Sequence, residues 1–256
     1  MIKVSIIGSG NVAQHLIKAF TESQNMGNVE LVQVFSRQKD TVTHLIAEDK
    51  IVTDFDALAE ADLYIIAVSD NAIAEVSSQL PFKNRLVVHT SGSVPMTAID
   101  TDNRKGVFYP LQTFSKNKTI DYTIIPICLE SENATDFQLL ETVAKGISDA
   151  VFAINSDQRQ ALHVAAVFVN NFVNHLYQIG SEICKENQVL FDILKPLIQE
   201  TAEKILTLTP GEAQTGPAKR NDSSTIDTHL AFLTDDNHKA IYQLLTQSIQ
   251  NNGQEL

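Results

Sequence analysis

Cysteine is nearly absent from this chain. Cys128 and Cys184 are the only two in 256 residues, and neither belongs to a Cys-x-x-Cys or Cys/His cluster. That excludes a disulfide framework and a sulfur-ligated metal site, and no metal is expected; it suits two reduced core thiols in a cytoplasmic protein. Basic residues are also scarce: Lys and Arg number 19 against 31 Asp and Glu, a formal charge of −12. A nucleic-acid partner would want a basic face, so none is expected, and positive charge used on a polyanionic cofactor must be concentrated locally. No apolar run approaches the ~18 residues of a transmembrane helix, and the first strand begins at residue 2, which leaves no room for a signal peptide. What is present is an ordinary hydrophobic content of 43 %, enough for one large domain or two modest ones.

The most informative stretch is the first dozen residues. Val4 to Ile7 is an apolar run that stops at Gly8-Ser9-Gly10, and Val12, Leu16, Ile17 and Phe20 then recur at helical spacing. Strand, glycine turn and helix are the context a dinucleotide fingerprint requires. Gly8 permits the tight turn, Gly10 lets backbone approach a pyrophosphate, and Ala13 is small enough for helix to pack on strand. The helix opening at Asn11-Val12 presents unpaired N–H groups and a positive dipole end to the phosphates. The competing reading is a tight turn in an α/β protein that binds no nucleotide.

Val29 to Phe35 reads as the second strand, whose end faces the adenosine ribose in such folds. An NAD site usually places Asp or Glu there. Glu30 has the right sequence distance but opens the strand, which closes on Ser36-Arg37-Gln38-Lys39. A hydroxyl, a guanidinium and an ammonium suit a 2′-phosphate, so NADP is favoured over NAD; a solvated turn is the plainer reading. Strands are expected at Ile51–Thr53, Asp62–Val68, Arg85–His89, Gly106–Tyr109, Tyr122–Leu129 and Ala150–Ile154, with a helical turn over 54–60 and helices after Asn71 and over 133–145. Pro126 suggests an edge position or a bulge for its strand. This alternation argues an α/β doubly wound Rossmann sheet over residues 1–154.

Ligands of open α/β sheets lie outside the carboxyl ends of the strands. Val68, Ser69, Asn71, Thr90, Ser91 and Gly92 are therefore candidates to line the nicotinamide half of the cleft, although Ser, Thr and Asn also cap helices and form turns. His89 ends a buried strand and reads more readily as a hydrogen-bonded structural residue than as an acid–base catalyst.

From Asn155 onward the strand signal vanishes, and 155–256 reads as an all-helical substrate and dimerisation domain. Asn155 or Ser156 can open a helix with Gln158 completing a capping box. The segment 160–185 is apolar on more than one face, which requires burial by a second layer or a subunit partner. His163 and Asn170, seven apart, would share a face, either looking into a cleft or forming a satisfied core pair. Helices are also expected over 188–207, kinked or divided at Pro196, and over 223–250 with a break near Asp235. Between them the loop from Thr209 to Asp222 carries Thr215, Arg220 and Asp222. Arg220 can bind a substrate carboxylate bidentately or pair with Asp222 and stiffen the loop.

Five motifs together resemble a known family: Ile6-Ile-Gly-Ser-Gly-Asn-Val12, Val88-His-Thr-Ser-Gly92, Tyr109-Pro-Leu-Gln112, His163-Val-Ala-Ala-Val-Phe-Val-Asn170 and Thr215-Gly-Pro-Ala-Lys-Arg-Asn-Asp222. The chain is similar over nearly its whole length to a Rossmann-type group placed with deazaflavin-dependent NADP oxidoreductases and pyrroline-5-carboxylate reductase-like proteins. The resemblance implies an NADP-binding domain followed by a helical dimerisation domain like that of 6-phosphogluconate dehydrogenase. It also implies an active site between them. Three departures leave the substrate open. The helix lysine of 3-hydroxyacid dehydrogenases is replaced by Ala166 or Val167, Lys219-Arg220 replace small residues of the reductase loop, and Asn221 stands where the family's own loop usually has glycine.

The expected function is a homodimeric NADP-dependent oxidoreductase that moves a hydride between NADPH and a small carbonyl or imine. Such a reaction needs a proton donor near the substrate heteroatom. His163 is the first candidate, since histidine titrates near neutral pH. Tyr109 and His89 come behind it, with Asn170 and Arg220 orienting the substrate. Hydride exchange with a deazaflavin and non-catalytic NADP sensing are the alternatives.

Overall fold

The structure is a computed structural model describing residues 1–23, 27–116 and 118–252. The chain divides into two compact units, 1–170 and 171–256, so the first helix beyond the sheet goes with the sheet.

In the first unit eight strands form one sheet: β1 Ile2–Ile7, β2 Val29–Phe35, β3 Ile51–Val52, β4 Leu63–Ile66, β5 Leu86–His89, β6 Arg104–Pro110, β7 Ile127–Ser131 and β8 Val151–Ala153. Their order is β3-β2-β1-β4-β5-β6-β7-β8. Every neighbouring pair is parallel except β6 and β7. The order reverses between β1 and β4, the switch point at which a doubly wound sheet opens a crevice at its carboxyl edge.

The strands are apolar at successive positions because both faces are covered. Leu63 and Ile65 of β4 join the core under helices α1 Asn11–Glu22 and α3 Ala134–Lys145, while Tyr64 and Ile66 join the opposite core under α2 Ile73–Ser78. Leu16, Ile17 and Phe20 of α1 bury the stripe that their spacing specifies, and each such side chain contributes about 1.5–3 kcal/mol. Those cores hold the carboxyl ends of β1, β4, β5 and β6 along one edge.

Several elements differ from their sequence expectation. Residues 54–60 form only a short 3-10 turn, Phe55–Ala57, capped by the Asp54 carboxylate. Strand β7 begins after Pro126 and lies between β6 and β8, not at the edge; Pro126 has no N–H to give, and its carbonyl accepts from Leu111 N–H. Tyr122–Ile124, expected as strand, is a 3-10 turn. The helix expected over 160–185 is three elements: α4 Ser156–Ala166, a π-helical segment Val167–Phe172, and α5 Val173–Glu186. The capping box of Asn155 and Gln158 opens α4 as expected.

The second unit is helical: α5, α6 Lys195–Lys204, α7 Pro210–Ala213, α8 Ser223–Phe232 and α9 Asp236–Asn252. Pro196 starts α6 instead of kinking it, because proline fits the first turn, whose N–H groups have no intrahelical partner. Asp222 caps α8 by accepting from Thr225 N–H. The unit has little interior of its own. Ile179 and Ala218 are its only buried hydrophobic residues among those described, while Leu190, Ile193, Leu197, Leu206 and Leu244 are all at least 62 % exposed. No helix among the described residues is long and apolar enough to cross a membrane.

Candidate active site and dinucleotide groove

Two constellations line the carboxyl edge of the sheet. The first surrounds the glycine turn. Gly8 has φ +133°, and a Cβ placed on it would fall 2.2 Å from the Ala67 carbonyl oxygen at the end of β4. Its need for glycine is therefore both conformational and a matter of contact with the neighbouring strand. Gly10 differs: a Cβ there would meet nothing within 4 Å, so only a ligand could require that space. Gly10 is also the N-cap of α1, with no side-chain cap and no acidic residue in the first turn. Free N–H groups, a positive dipole end and an unobstructed approach fit a pyrophosphate. Ala13, fully buried, occupies the helix–strand contact.

Gly8, Ser9, Gly10, Asn11, Val12, Ser36, Arg37, Val68 and Ser69 line one groove of about 500 Å³, with Phe35, Phe55, Val76 and Gln79 along its walls. Ser36 is buried, and its hydroxyl donates to the Gln38 carbonyl at 2.8 Å and lies 3.1 Å from the Thr41 hydroxyl. It builds the turn that carries Arg37. The Arg37 guanidinium is exposed, has no ion pair, and borders a neighbouring hollow with Ser9 and Gln38. Glu30 lies at the other end of β2, 3.6 Å from Lys50. Phe55, stacked on Phe35 with ring centroids 4.1 Å apart, was not signalled by the motif, since it comes from the turn after β3.

The second constellation lies beyond β5 and β6. The Tyr109 hydroxyl at the end of β6 and His163 Nδ1 on α4 are hydrogen-bonded at 3.0 Å. A Cβ on Gly92 would lie 2.5 Å from His163 Nδ1 and 2.9 Å from Tyr109 Cζ. The loop after β5 therefore touches both partners through a residue without a side chain. Thr90, Ser91, Gly92 and Asn71 are not in the groove lining. Ser91 shapes its own loop, its hydroxyl accepting from Ser93 and Val94 N–H at 3.1 and 3.0 Å.

Electrostatics separate Tyr109 from His89. Burial pushes the Tyr109 phenol up to about 12, with Cys128 and Asp70 adding to the rise and Arg159 opposing it; the phenol is held protonated. Burial, then the charge of Arg159, pushes His89 down to about 4. His89 is wholly buried. Its Nδ1 accepts from Ser91 N–H at 3.2 Å, which leaves Nε2–H to donate to the Pro95 carbonyl at 3.3 Å. His89 is a neutral imidazole pinning a loop, and this removes it from the candidate acids.

Asn170 falls in the π segment and is exposed. Hydrogen bonding from i to i+5 winds the chain more loosely, so a seven-residue spacing across this segment no longer equals two turns. Arg220 and Thr215 are exposed in the second unit. Arg220 makes no ion pair with Asp222, which is occupied in capping α8. Asn221 has φ +53°, a left-handed conformation that asparagine tolerates better than most residues; that accounts for its standing where glycine is usual. Sequence reasoning missed Arg159 and Glu130, a buried ion pair beneath the Gly92 loop. The available signal was position, since Arg159 precedes His163 by one helical turn. No group of three or more His, Cys, Asp or Glu among the described residues could hold a metal.

Known proteins place these features in a family. Residues 3–92 match a model described as NADP oxidoreductase, coenzyme F420-dependent, and residues 125–249 match a domain of unknown function, DUF2520. The structure of the putative NADP oxidoreductase BF3122 from Bacteroides fragilis is 38 % identical over 98 % of each chain, with a TM-score of 0.86. Protein TM1727 from Thermotoga maritima is 19 % identical over 98 % of each chain, TM-score 0.75. A reductive aminase from Aspergillus terreus, solved with NADPH4, cyclohexanone and allyl amine, shares the fold at 13 % identity, covering 100 % of this chain and 94 % of its own, TM-score 0.68. No curated protein matches.

Proposed function

The chain belongs to the family of NADP oxidoreductases represented by BF3122 of Bacteroides fragilis, and we propose that it reduces a small carbonyl or imine with a hydride from NADPH. The family is one of NAD(P)-binding oxidoreductases. Choice of NADPH rests on Arg37, an unpaired guanidinium at the end of β2, where an NAD site would carry a carboxylate. Ser36 supports it by shaping the turn.

The observation that carries the chemistry is the 3.0 Å contact between Tyr109 and His163. When bound, the nicotinamide supplies the hydride. The chain's own residues supply the proton: Tyr109 gives its phenolic proton to the substrate oxygen or nitrogen, and His163 returns one through Nδ1. A protonated phenol backed by an imidazole can do this over the neutral range, which a histidine held as neutral as His89 cannot.

The protein acts as a homodimer on this reading. The described residues from 171 onward bury too few apolar side chains to be stable alone, and a second copy is the occupant that would cover the exposed leucines and isoleucines.

A second reading is hydride exchange between NADPH and a deazaflavin, favoured by the family model over residues 3–92. That model ends before Tyr109 and His163. The deciding experiment is NADPH oxidation against carbonyls, imines and a deazaflavin, with Tyr109→Phe and His163→Ala alongside. Turnover of an imine or carbonyl that both variants reduce strongly supports the proposal. Turnover of deazaflavin alone, indifferent to both, would replace it with the second reading. NADPH binding without any turnover would make the protein a sensor.

A further inference from the structure

Arg159 is the largest fully buried side chain among the described residues, 1 % exposed, and the proposed chemistry does not use it. Its guanidinium joins three segments. Nη1 pairs with the Glu130 carboxylate on β7. Nη2 donates to the Val94 carbonyl at 2.6 Å, in the loop after β5, and to the Ser156 hydroxyl at 3.3 Å, at the start of α4. Glu130 closes the network by accepting from Ser156 N–H and hydroxyl at 2.9–3.0 Å. These segments are the walls of the Tyr109–His163 pair. The Val94 loop carries Gly92, and α4 carries His163 one turn past Arg159. Strand β7 pairs with β6 in the register that sets Cys128 opposite Tyr109 and Glu130 opposite Val107.

A buried ion pair is a poor way to gain stability, because apolar side chains of similar volume often do as well. The place of this one, where the three walls meet, gives it another purpose. We propose that Arg159 is a positioning residue for the proton-delivering pair. Clamped to Glu130, it sets the Gly92 loop and α4 so that the Tyr109 hydroxyl meets His163 Nδ1. Its charge also supports the phenolate left when Tyr109 releases its proton.

The charged and titratable groups acting on Tyr109 are Arg159 and His163 from α4, Cys128 from β7 and Asp70 from the loop after β4. Of these, Arg159 is the permanent cation. Without it the phenol becomes a weaker acid, and the basic limb of the pH–rate profile moves upward as the rate falls.

This inference rests on the reductase reading for its kinetic arm only. The test compares wild type with Arg159→Lys and with Arg159→Met/Glu130→Gln, which removes both charges and strands neither. Measured are kcat and KM across a range of pH on whichever substrate wild type reduces, NADPH affinity, and the ¹⁵N spectrum of His163, assigned with His163→Gln. The double variant is expected to bind NADPH as wild type does and to lose about 100-fold in kcat, the scale of a 1 Å misplacement, with KM little changed. Its His163 spectrum should change as it does in Tyr109→Phe, and Arg159→Lys should recover part of both. Wild-type kcat, pH profile and His163 spectrum in a variant with lowered Tm would overturn the proposal, leaving Arg159 a purely structural residue. If wild type reduces nothing, the reductase reading fails by itself. The spectrum then decides alone, a changed His163 sustaining the positioning role and an unchanged one ending it. If the double variant does not fold, Arg159→Lys carries the same comparison.

Discussion

Gly92 and His163 are packed so closely that a methyl group on the glycine would lie 2.5 Å from the imidazole Nδ1, the atom that meets the Tyr109 hydroxyl at 3.0 Å. A contact that short cannot be kept, so a side chain at 92 must push the imidazole, the phenol or the loop aside.

Gly92→Ala is therefore expected to lower kcat by about 100-fold, the usual effect of displacing a catalytic group by 1 Å. The groove at the glycine turn does not include residue 92, and NADPH affinity should be unchanged. Titration of cofactor fluorescence beside steady-state kinetics measures both; a variant with full kcat would show that the pair is not part of the chemistry.

Arg37→Ala should weaken NADPH binding by about 10- to 100-fold, the loss of a charge-assisted contact worth ~1.5–3 kcal/mol, and leave NADH as it was. Calorimetric Kd values for both cofactors are the check. Equal affinities in wild type would remove the assignment of NADP.

His89 predicts an acid sensitivity. Its folded pKa of about 4 lies below the ordinary 6.5, so the unfolded chain takes up the proton first. The stability present above pH 6.5 then drains away as pH falls towards 4, by about 3 kcal/mol in total. Glutamine can mimic both hydrogen bonds of a neutral imidazole and takes up no proton. Denaturant unfolding at several pH values should show a shallower acid loss for His89→Gln than for wild type; parallel curves would mean that His89 charges in the fold.

The dimer has its own signature. If a second copy covers the apolar side chains of residues 171–256, the sedimentation mass is twice that of the chain and Tm rises with protein concentration. A stable monomer with a concentration-independent Tm is the contrary result.

Much of the local structure was legible from sequence pattern alone. The glycine turn, the buried stripe of α1, the absence of an acid after β2 and the Asn155 cap are set by residues near one another in sequence, and local rules reach that far. The same rules predicted a strand through Pro126 and a single helix across 160–185. There, neighbours in the sheet and the looser π winding overrode them.

The sequence by itself determined an α/β dinucleotide fold with a helical second half, because periodicity of apolar residues sorts strands from helices without knowledge of contacts. It also pointed to the glycine turn between the first strand and helix as the place for a cofactor. Only the tertiary structure decided which polar residues act together. Tyr109 and His163 are separated by two strands and a helix and meet because β6 and α4 converge. His89 left the candidate acids because the fold buries it and, second, brings the charge of Arg159, seventy residues later, close enough to help suppress its own. Proximity, burial and charge are relations between distant segments, and no local pattern encodes them.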